Sequence, residues 1–410
     1  MSVHASPRGS QHALVVKMWV LTGIVAIADF IFGATFVSFM QAQGLSASVV
    51  GALLSITAIT SIFFEAPSGA WGDRFGHKRL VVLGLVLWGT GLIVFACSNS
   101  AWIFAFAITL WGAGLASYSG AATSLLINTL NSDGLGHHGS SAVRGAEVVR
   151  WSAAAAGAVI VGLTAWAMST ALSIIVAGAL LILAALWVAI GWPESPRHEQ
   201  MSMRRNLVAG TRFLAGPRGR PLVVFSILAS VDLAIVILTW QPIVLEIVEI
   251  PDEMLGFSLL CLTVATALGA AATRWLNRVP REWTLAGTLT LLNLSLVLVG
   301  SGSAGAIIGL LGAEFFLGVA LTTLSIWGQQ IFPDTIRATA TSLVGTVCGL
   351  TIAVTHAGMG ALWDGVGLQP AVAVVAWSLA ALVVFVAVIT WSIRRFRPAK
   401  STFTPGERTR

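Results

Sequence analysis

Apolar residues in this chain do not alternate with polar ones. They run on without a break and stop only at short polar segments. Runs of about 18 residues or more are long enough to cross a bilayer as a helix. Twelve such runs can be drawn, at 17–41, 46–70, 80–98, 101–128, 142–166, 169–192, 222–245, 254–276, 283–300, 304–328, 339–363 and 369–393. In hydrocarbon only helices or closed barrels satisfy every backbone N–H and C=O. Barrel strands alternate apolar and polar positions, so continuous runs predict an all-α membrane protein.

The polar breaks carry a second pattern. With the loops placed alternately on two sides of a membrane, all but Arg150 of the 23 basic residues fall on the side of the N-terminus. The other side holds no Lys or Arg, and one of its loops carries Glu246, Glu249, Asp252 and Glu253. Lys and Arg stay in the cytoplasm beside the anionic leaflet. Both termini are therefore expected to be cytoplasmic, in the plasma membrane of a cell. About sixteen mixed residues precede the first run, and no cleavable signal peptide is expected. The longest hydrophilic stretch, 193–221, divides the chain into an N-terminal six-helix bundle over 1–192, a linker, and a C-terminal bundle with its tail over 222–410. Within the linker, Arg204-Arg205-Asn206-Leu207-Val208 through Arg212-Phe213-Leu214 reads either as a short amphipathic helix on the membrane surface or as a solvated connector.

Composition narrows the function. Hydrophobic residues make up 56% and charged residues 10%, and the mean hydropathy is +0.88. A soluble protein carries about 25% charged residues. The net charge of +6 and the pI near 10.0 would suit a nucleic-acid binder, but the charge sits in loops between spans. Nucleic acid is therefore excluded as a partner, and the bilayer takes its place. Cys97, Cys261 and Cys348 lie inside apolar runs without metal-ligand spacing, and read as small core residues. His137-His138 has no acidic or Cys neighbours, so no metal site is expected. No Gly-rich loop ends in Lys-Ser or Lys-Thr. No cofactor, no ATP site and no catalytic cluster are expected, and the chain reads as something other than an enzyme.

The halves also resemble each other. Gln41 and Gln241 end the first and seventh runs, Asp29 and Asp232 lie near their middles, and Gly51 and Gly256 open the second and eighth. These offsets of 200 to 205 residues are the trace an internal duplication leaves in transporters.

One loop goes further. Between the second and third runs stands Gly69-Ala70-Trp71-Gly72-Asp73-Arg74-Phe75-Gly76-His77-Lys78-Arg79. This resembles the loop signature of the major facilitator superfamily, with Gly69, Asp73, Arg74, Gly76, Lys78 and Arg79 at its fixed positions. The resemblance implies a fold of twelve transmembrane helices in two pseudo-symmetric six-helix bundles. It also implies alternating access, with substrate bound between the halves, and a latch from Asp73 to the start of the eleventh span near Arg337 and Thr339. The local chemistry agrees. Gly76 permits a tight reversal, and Lys78 and Arg79 anchor the third span on the cytoplasmic side. Two features of drug–proton antiporters are absent. Ile108 stands where an Arg would precede Gly112, and Gly157-Ala158 through Gly162 lacks the antiporter motif's Pro.

A charge inside a span is costly, so it needs a partner or a water-filled cavity. Asp29 and Asp232 are the first candidates for proton coupling or substrate contact, because burial favours the protonated carboxyl and both lie near mid-span. Glu314 reads as a coupling residue or a structural hydrogen-bond partner, and Gln241 beside Trp240 is placed near the cavity mouth. Tyr118 lies beside a possible polar seam of Ser117, Gly120, Ser124 and Asn128 on the fourth span. Glu147 and Arg150, three apart, share a helix face and can pair. With Glu65 they are candidates for a cytoplasmic gate. The remaining Trp residues are read as lipid-facing or interfacial. The expected activity is proton-coupled efflux of a small organic compound by a monomer. Proton-symport uptake is the alternative, and a non-transporting membrane sensor a more distant one.

Overall fold

A computed structural model describes residues 7–132, 139–192, 203–276, 278–333 and 336–395, with backbone only at 7–14, 65–75, 128, 131–132, 139–140, 203–206, 338 and 390–395. Its helices are α1 (Pro7–Gly33), α2 (Phe36–Ala42), α3 (Ala47–Phe75), α4 (His77–Ala96), α5 (Ala101–Ser132), α6 (Gly139–Thr164) and α7 (Thr170–Gly191). They continue with α8 (Met203–Ala215), α9 (Arg220–Pro242), α10 (Leu255–Ala272), α11 (Arg281–Val297), α12 (Ser303–Ile331), α13 (Arg337–Val366) and α14 (Leu368–Arg395). Among the described residues twelve segments are long and apolar enough to cross a membrane, and their bounds lie within a few residues of the runs drawn from the sequence. They form two six-helix bundles. Below, "acidic end" means the end that carries the loop with Glu246 to Glu253, and "basic end" the opposite one.

The sequence explains why these segments hold as helices in an apolar medium. Serine and threonine hydroxyls bond back to their own helix, as Thr109 to the Ala105 carbonyl, Thr239 to Ile235 and Ser378 to Val374, so none needs water. The Ser169 hydroxyl accepts from the Leu172 N–H and caps α7. The other end of α7 is closed by two lysines from neighbouring helices: Lys17 Nζ donates to the Gly191 carbonyl at 2.9 Å, and Lys78 Nζ to that of Trp192 at 2.6 Å. Cations at a helix C-terminus also complement its dipole. Gly76 separates α3 from α4 with φ of 98°, the reversal expected of that glycine. Large apolar side chains point outward, Trp102 at 86% and Phe63 at 72% exposed, as suits helices surrounded by lipid.

Part of the linker forms the helix α8. Helix α8 packs on α13, with Gly210 against Leu343 and Thr339. Phe213 meets Phe332 edge-on at 6.0 Å.

At the acidic end the two bundles are stitched together. The first span breaks at Gly33-Ala34-Thr35, which frees the Gly33 carbonyl and the Ser38 N–H from their helical partners. Gln241, fully buried on α9, takes both. Its Nε2 donates to the Gly33 oxygen at 3.0 Å and its Oε1 accepts from Ser38 N at 2.8 Å. The seventh span is irregular at the matching place: Pro242 lacks an N–H, and Ile243–Ile247 continues as a π-helix. Asp364, near the end of α13, accepts from the Ala47 and Ser48 N–H groups, both at 3.0 Å, and so caps α3 across the interface. Ser55 donates to the Ala353 carbonyl at 2.6 Å. Helix α3 meets α13 at Gly51 and Gly360, and α6 meets α10 at Gly162 and Gly256, with backbone against backbone.

Candidate functional site

Two neighbouring cavities in the membrane-spanning region share Asp29 and Phe30. The first, about 300 Å³, lies within the N-terminal bundle between α1, α4, α5 and α6. Asp29 and Thr22 come from α1, and Tyr118, Ser119 and Thr123 from α5. Glu147 and Arg150 come from α6. Arg150 Nη2 and Nε bond to Glu147 Oε2 at 2.9 and 3.0 Å, the pairing their spacing allows. The Arg150 guanidinium also lies 4.5 Å over the Trp151 ring. Tyr118 meets Trp88 edge-on at 6.2 Å.

The second cavity, about 370 Å³, lies between the bundles. Trp111, Trp151 and Trp240 line it with Phe30, Phe32 and Phe36. Among the described residues, the charged groups that line it are Asp29 from α1 and Glu314 from α12, and no Lys, Arg or His does. Glu314 Oε2 accepts from Thr266 Oγ1 at 2.7 Å.

Among the remaining candidates, Asp232 lies apart from both cavities. It is 1% exposed and packs against Asn293 of α11, whose Nδ2 donates to Asp232 Oδ1 at 3.1 Å. Asp232 Oδ2 and Asn293 Oδ1 have no hydrogen-bond partner among the described residues. A proton on Oδ2 donated to the Asn293 carbonyl would satisfy both oxygens, giving an acid–amide pair internal to the C-terminal bundle. Asp232→Asn preserves that pairing as amide to amide. The variant is expected to fold, with thermal unfolding in detergent close to the parent's. Asp232→Ala removes the carboxyl partner of Asn293, whose Nδ2 keeps only its bond to the Leu289 carbonyl at 2.9 Å, and should cost about 1–3 kcal/mol of stability.

Gln241 lines neither cavity and serves the interface clamp, whereas Trp240 lines the cavity between the bundles. The seam read on the fourth span is out of phase by one residue. Ser117 is buried at 1% exposed, and it is Tyr118, Ser119 and Thr123 that face the first cavity. The side chains of Glu65, Gly69, Asp73 and Arg74 lie outside the described residues, as does that of Asn128. Lys78 ties α4 to α7, as above, and Arg79 is exposed at the start of α4. Sequence reasoning did not find Trp111 and Trp151 in the cavity wall, Thr266 beside Glu314, Asn293 beside Asp232, or the cap by Asp364. Asn293 and Asp364 had a signal, as polar groups in otherwise apolar spans. Among the described residues no cluster of His, Cys, Asp and Glu could hold a metal.

Two bundles with a cavity between them form a recurrent transporter architecture, and the comparisons with known proteins agree. The profile of the Major Facilitator Superfamily matches residues 18–356. The chain belongs to that superfamily. The superfamily's characterised members are secondary transporters of small molecules rather than enzymes, embedded in a membrane through multiple spans. Its curated relatives match only locally. Multidrug resistance protein 2 of Bacillus subtilis (strain 168) is 33% identical over 87 residues, 21% of this chain and 22% of that protein. The inner membrane transport protein YajR of Escherichia coli (strain K12) is 35% identical over 75 residues, 18% of this chain and 16% of that one. Multidrug resistance protein MdtH of Yersinia pestis (strain Pestoides F) is 29% identical over 105 residues, 25% and 26% of the two chains. The matched stretches thus span about a quarter or less of these relatives' length. Among solved structures, the nucleoside transporter NupG superposes with a TM-score of 0.79 at 14% identity, covering 94% of this chain and all of that one. A bacterial homologue of the human lysosomal transporter Spinster, inward-facing and unoccupied, gives 0.73 at 14% identity over 95% and 99% of the chains. At such identities the likeness concerns the superfamily fold.

Proposed function

We propose that this transporter exports small organic cations with an apolar, aromatic or alkyl body, in exchange for protons, across a bacterial plasma membrane. The single observation that carries this reading is the wall of the cavity between the bundles. Six aromatic side chains surround it, and among the described residues its only charged lining groups are the carboxylates Asp29 and Glu314, with no base beside them. An aromatic wall attracts a cation through its ring faces and an apolar body through burial. A carboxylate then offers a site for which a proton and a cationic substrate compete. The names of two relatives, both multidrug resistance proteins, support export. In this reading the basic end faces the cytoplasm, because Lys and Arg are retained there. The N-terminal bundle ends at 192, the linker at 221, and the working unit is a monomer. The missing antiporter motif favours the second reading, uptake of a cation together with a proton through the same cavity.

The test uses inside-out vesicles with an imposed pH gradient, acid inside, and ethidium as probe. Gradient-driven accumulation of ethidium inside the vesicles, with release of lumenal protons seen by a pH-sensitive dye, is the expected result. Proton-driven accumulation only in right-side-out vesicles would establish uptake instead. No ethidium movement in either orientation would sink the substrate class.

A further inference from the structure

The cavity within the N-terminal bundle has no role in the substrate path as proposed. All its walls belong to α1, α4, α5 and α6. When two bundles rock as rigid bodies, a space between them opens and closes, whereas a space inside one bundle keeps its walls together. This chamber therefore cannot present a substrate alternately to the two sides. Its wall is mostly apolar, yet Thr22, Tyr118, Ser119 and Thr123 line it together with Asp29, Glu147 and Arg150.

Its charged groups form a ladder. Counted from the start of their spans at Ser141 and Val15, and at a rise of about 1.5 Å per residue, Glu147 lies about 9 Å deep, Arg150 about 14 Å and Asp29 about 21 Å. All three depths are measured from the basic end. The Glu147 and Arg150 side chains are about half exposed, at 56% and 45%. Asp29 is the one charged residue that lines both this chamber and the cavity between the bundles.

We propose that this chamber is the transporter's proton route, separate from the substrate path, entered past the Glu147–Arg150 pair and ending at Asp29. Arg150 is the positioning residue that meets the charge of Asp29 once its proton has left. The inference rests on the proposed exchange of a proton for a cation. The step is a simple transfer: the O–H bond of protonated Asp29 breaks, chamber water takes the proton as hydronium, and the carboxylate remains. A guanidinium carries five donors in a fork, and two of Arg150's are spent on Glu147 Oε2, which leaves donors for a second carboxylate. The other groups around Asp29 are Tyr118 from α5 and, across the second cavity, Glu314 from α12. Helices α4, α9 and α10 offer it uncharged side chains only.

The experiment needs no transport. The purified full chain is treated at neutral pH with dicyclohexylcarbodiimide, which attacks protonated carboxyl groups in apolar sites, and modification at Asp29 is followed by mass spectrometry. Removing a facing positive charge favours the protonated carboxyl, so Arg150→Gln should speed Asp29 modification about tenfold, and Arg150→Lys should restore the parent's rate. Glu314, in the cavity that Arg150 does not line, is the internal reference and should react unchanged. In a background with Cys97, Cys261 and Cys348 replaced by Ser, Thr123→Cys should react with a small hydrophilic thiosulfonate. Leu125→Cys, on the same helix but 1% exposed, should not. The proposal is overturned if Thr123→Cys resists the reagent, or if Arg150→Gln leaves the Asp29 rate within about twofold of the parent. If both results come out as expected while ethidium is not moved, the substrate reading falls and the proton route stands.

Discussion

Gly51→Ala combined with Gly256→Ala will hold the two bundles apart at the acidic end and stop transport. Each substitution adds one methyl group where no room exists. A Cβ on Gly51 would run into the His356 carbonyl oxygen, and one on Gly256 into the Gly162 nitrogen and the Ala158 oxygen. These obstacles are backbone atoms, which cannot swing aside as a flexible side chain would. Overpacking of this kind costs about 1–3 kcal/mol per site, and it is felt only where the helices touch. The conformation with the acidic end open escapes the penalty, so two sites together shift the balance between conformations about a hundredfold or more. Spin labels at Gln43→Cys and Val366→Cys, on opposite bundles, should show the short distance lost and a longer one gained, with ethidium transport reduced to background. Gly358→Ala is the control. It lies on the same helix as Gly360 but has no neighbour within 4 Å, and it should behave as the parent. An unchanged distance distribution in the double variant would mean that the crossings are more compliant than their backbone contacts imply.

The pair Gly51 and Gly256 shows what the chain reveals before folding is considered. Their shared offset with Gln41–Gln241 and Asp29–Asp232 marked them as repeat-related, and both lie at the tightest crossings between bundles. The twelve spans were equally plain, because length and hydropathy decide whether a segment can cross a bilayer. Sidedness of individual residues was not. Asp29 and Asp232 look alike in sequence, mid-span at matching positions, yet Asp29 opens onto two cavities and Asp232 is sealed against Asn293, 61 residues away. About 100° of rotation about a helix axis separates neighbouring residues, and hydropathy is blind to it in a helix that is apolar all round. The same blindness put the seam of α5 one residue out of phase. It also made Trp111 and Trp151 look like lipid-facing residues, since an indole suits a membrane surface and an aromatic cavity wall equally well.

Asp29→Asn will separate binding from coupling. The amide has the size of the carboxyl group but cannot ionise, so proton and substrate no longer compete at this position. Ethidium still meets the six aromatic side chains and the Glu314 carboxylate. Loss of one carboxylate from a cation site is worth about 1–2 kcal/mol, so affinity should fall about tenfold rather than vanish. Uphill accumulation behaves differently. Without an ionisable group shared by the two cavities there is nothing to exchange, and accumulation driven by the pH gradient should fall to background while slow downhill movement of ethidium persists. Glu314→Gln should show the reverse balance. It touches only the cavity between the bundles, where Thr266 already holds it, so it should weaken ethidium binding by a similar factor and leave proton-driven accumulation measurable at saturating probe. Equilibrium binding and vesicle accumulation of ethidium, measured side by side for the two variants, decide the matter. If Glu314→Gln loses driven accumulation and Asp29→Asn keeps it, the coupling carboxylate is on α12, and the chamber within the N-terminal bundle cannot be the route by which the driving proton leaves.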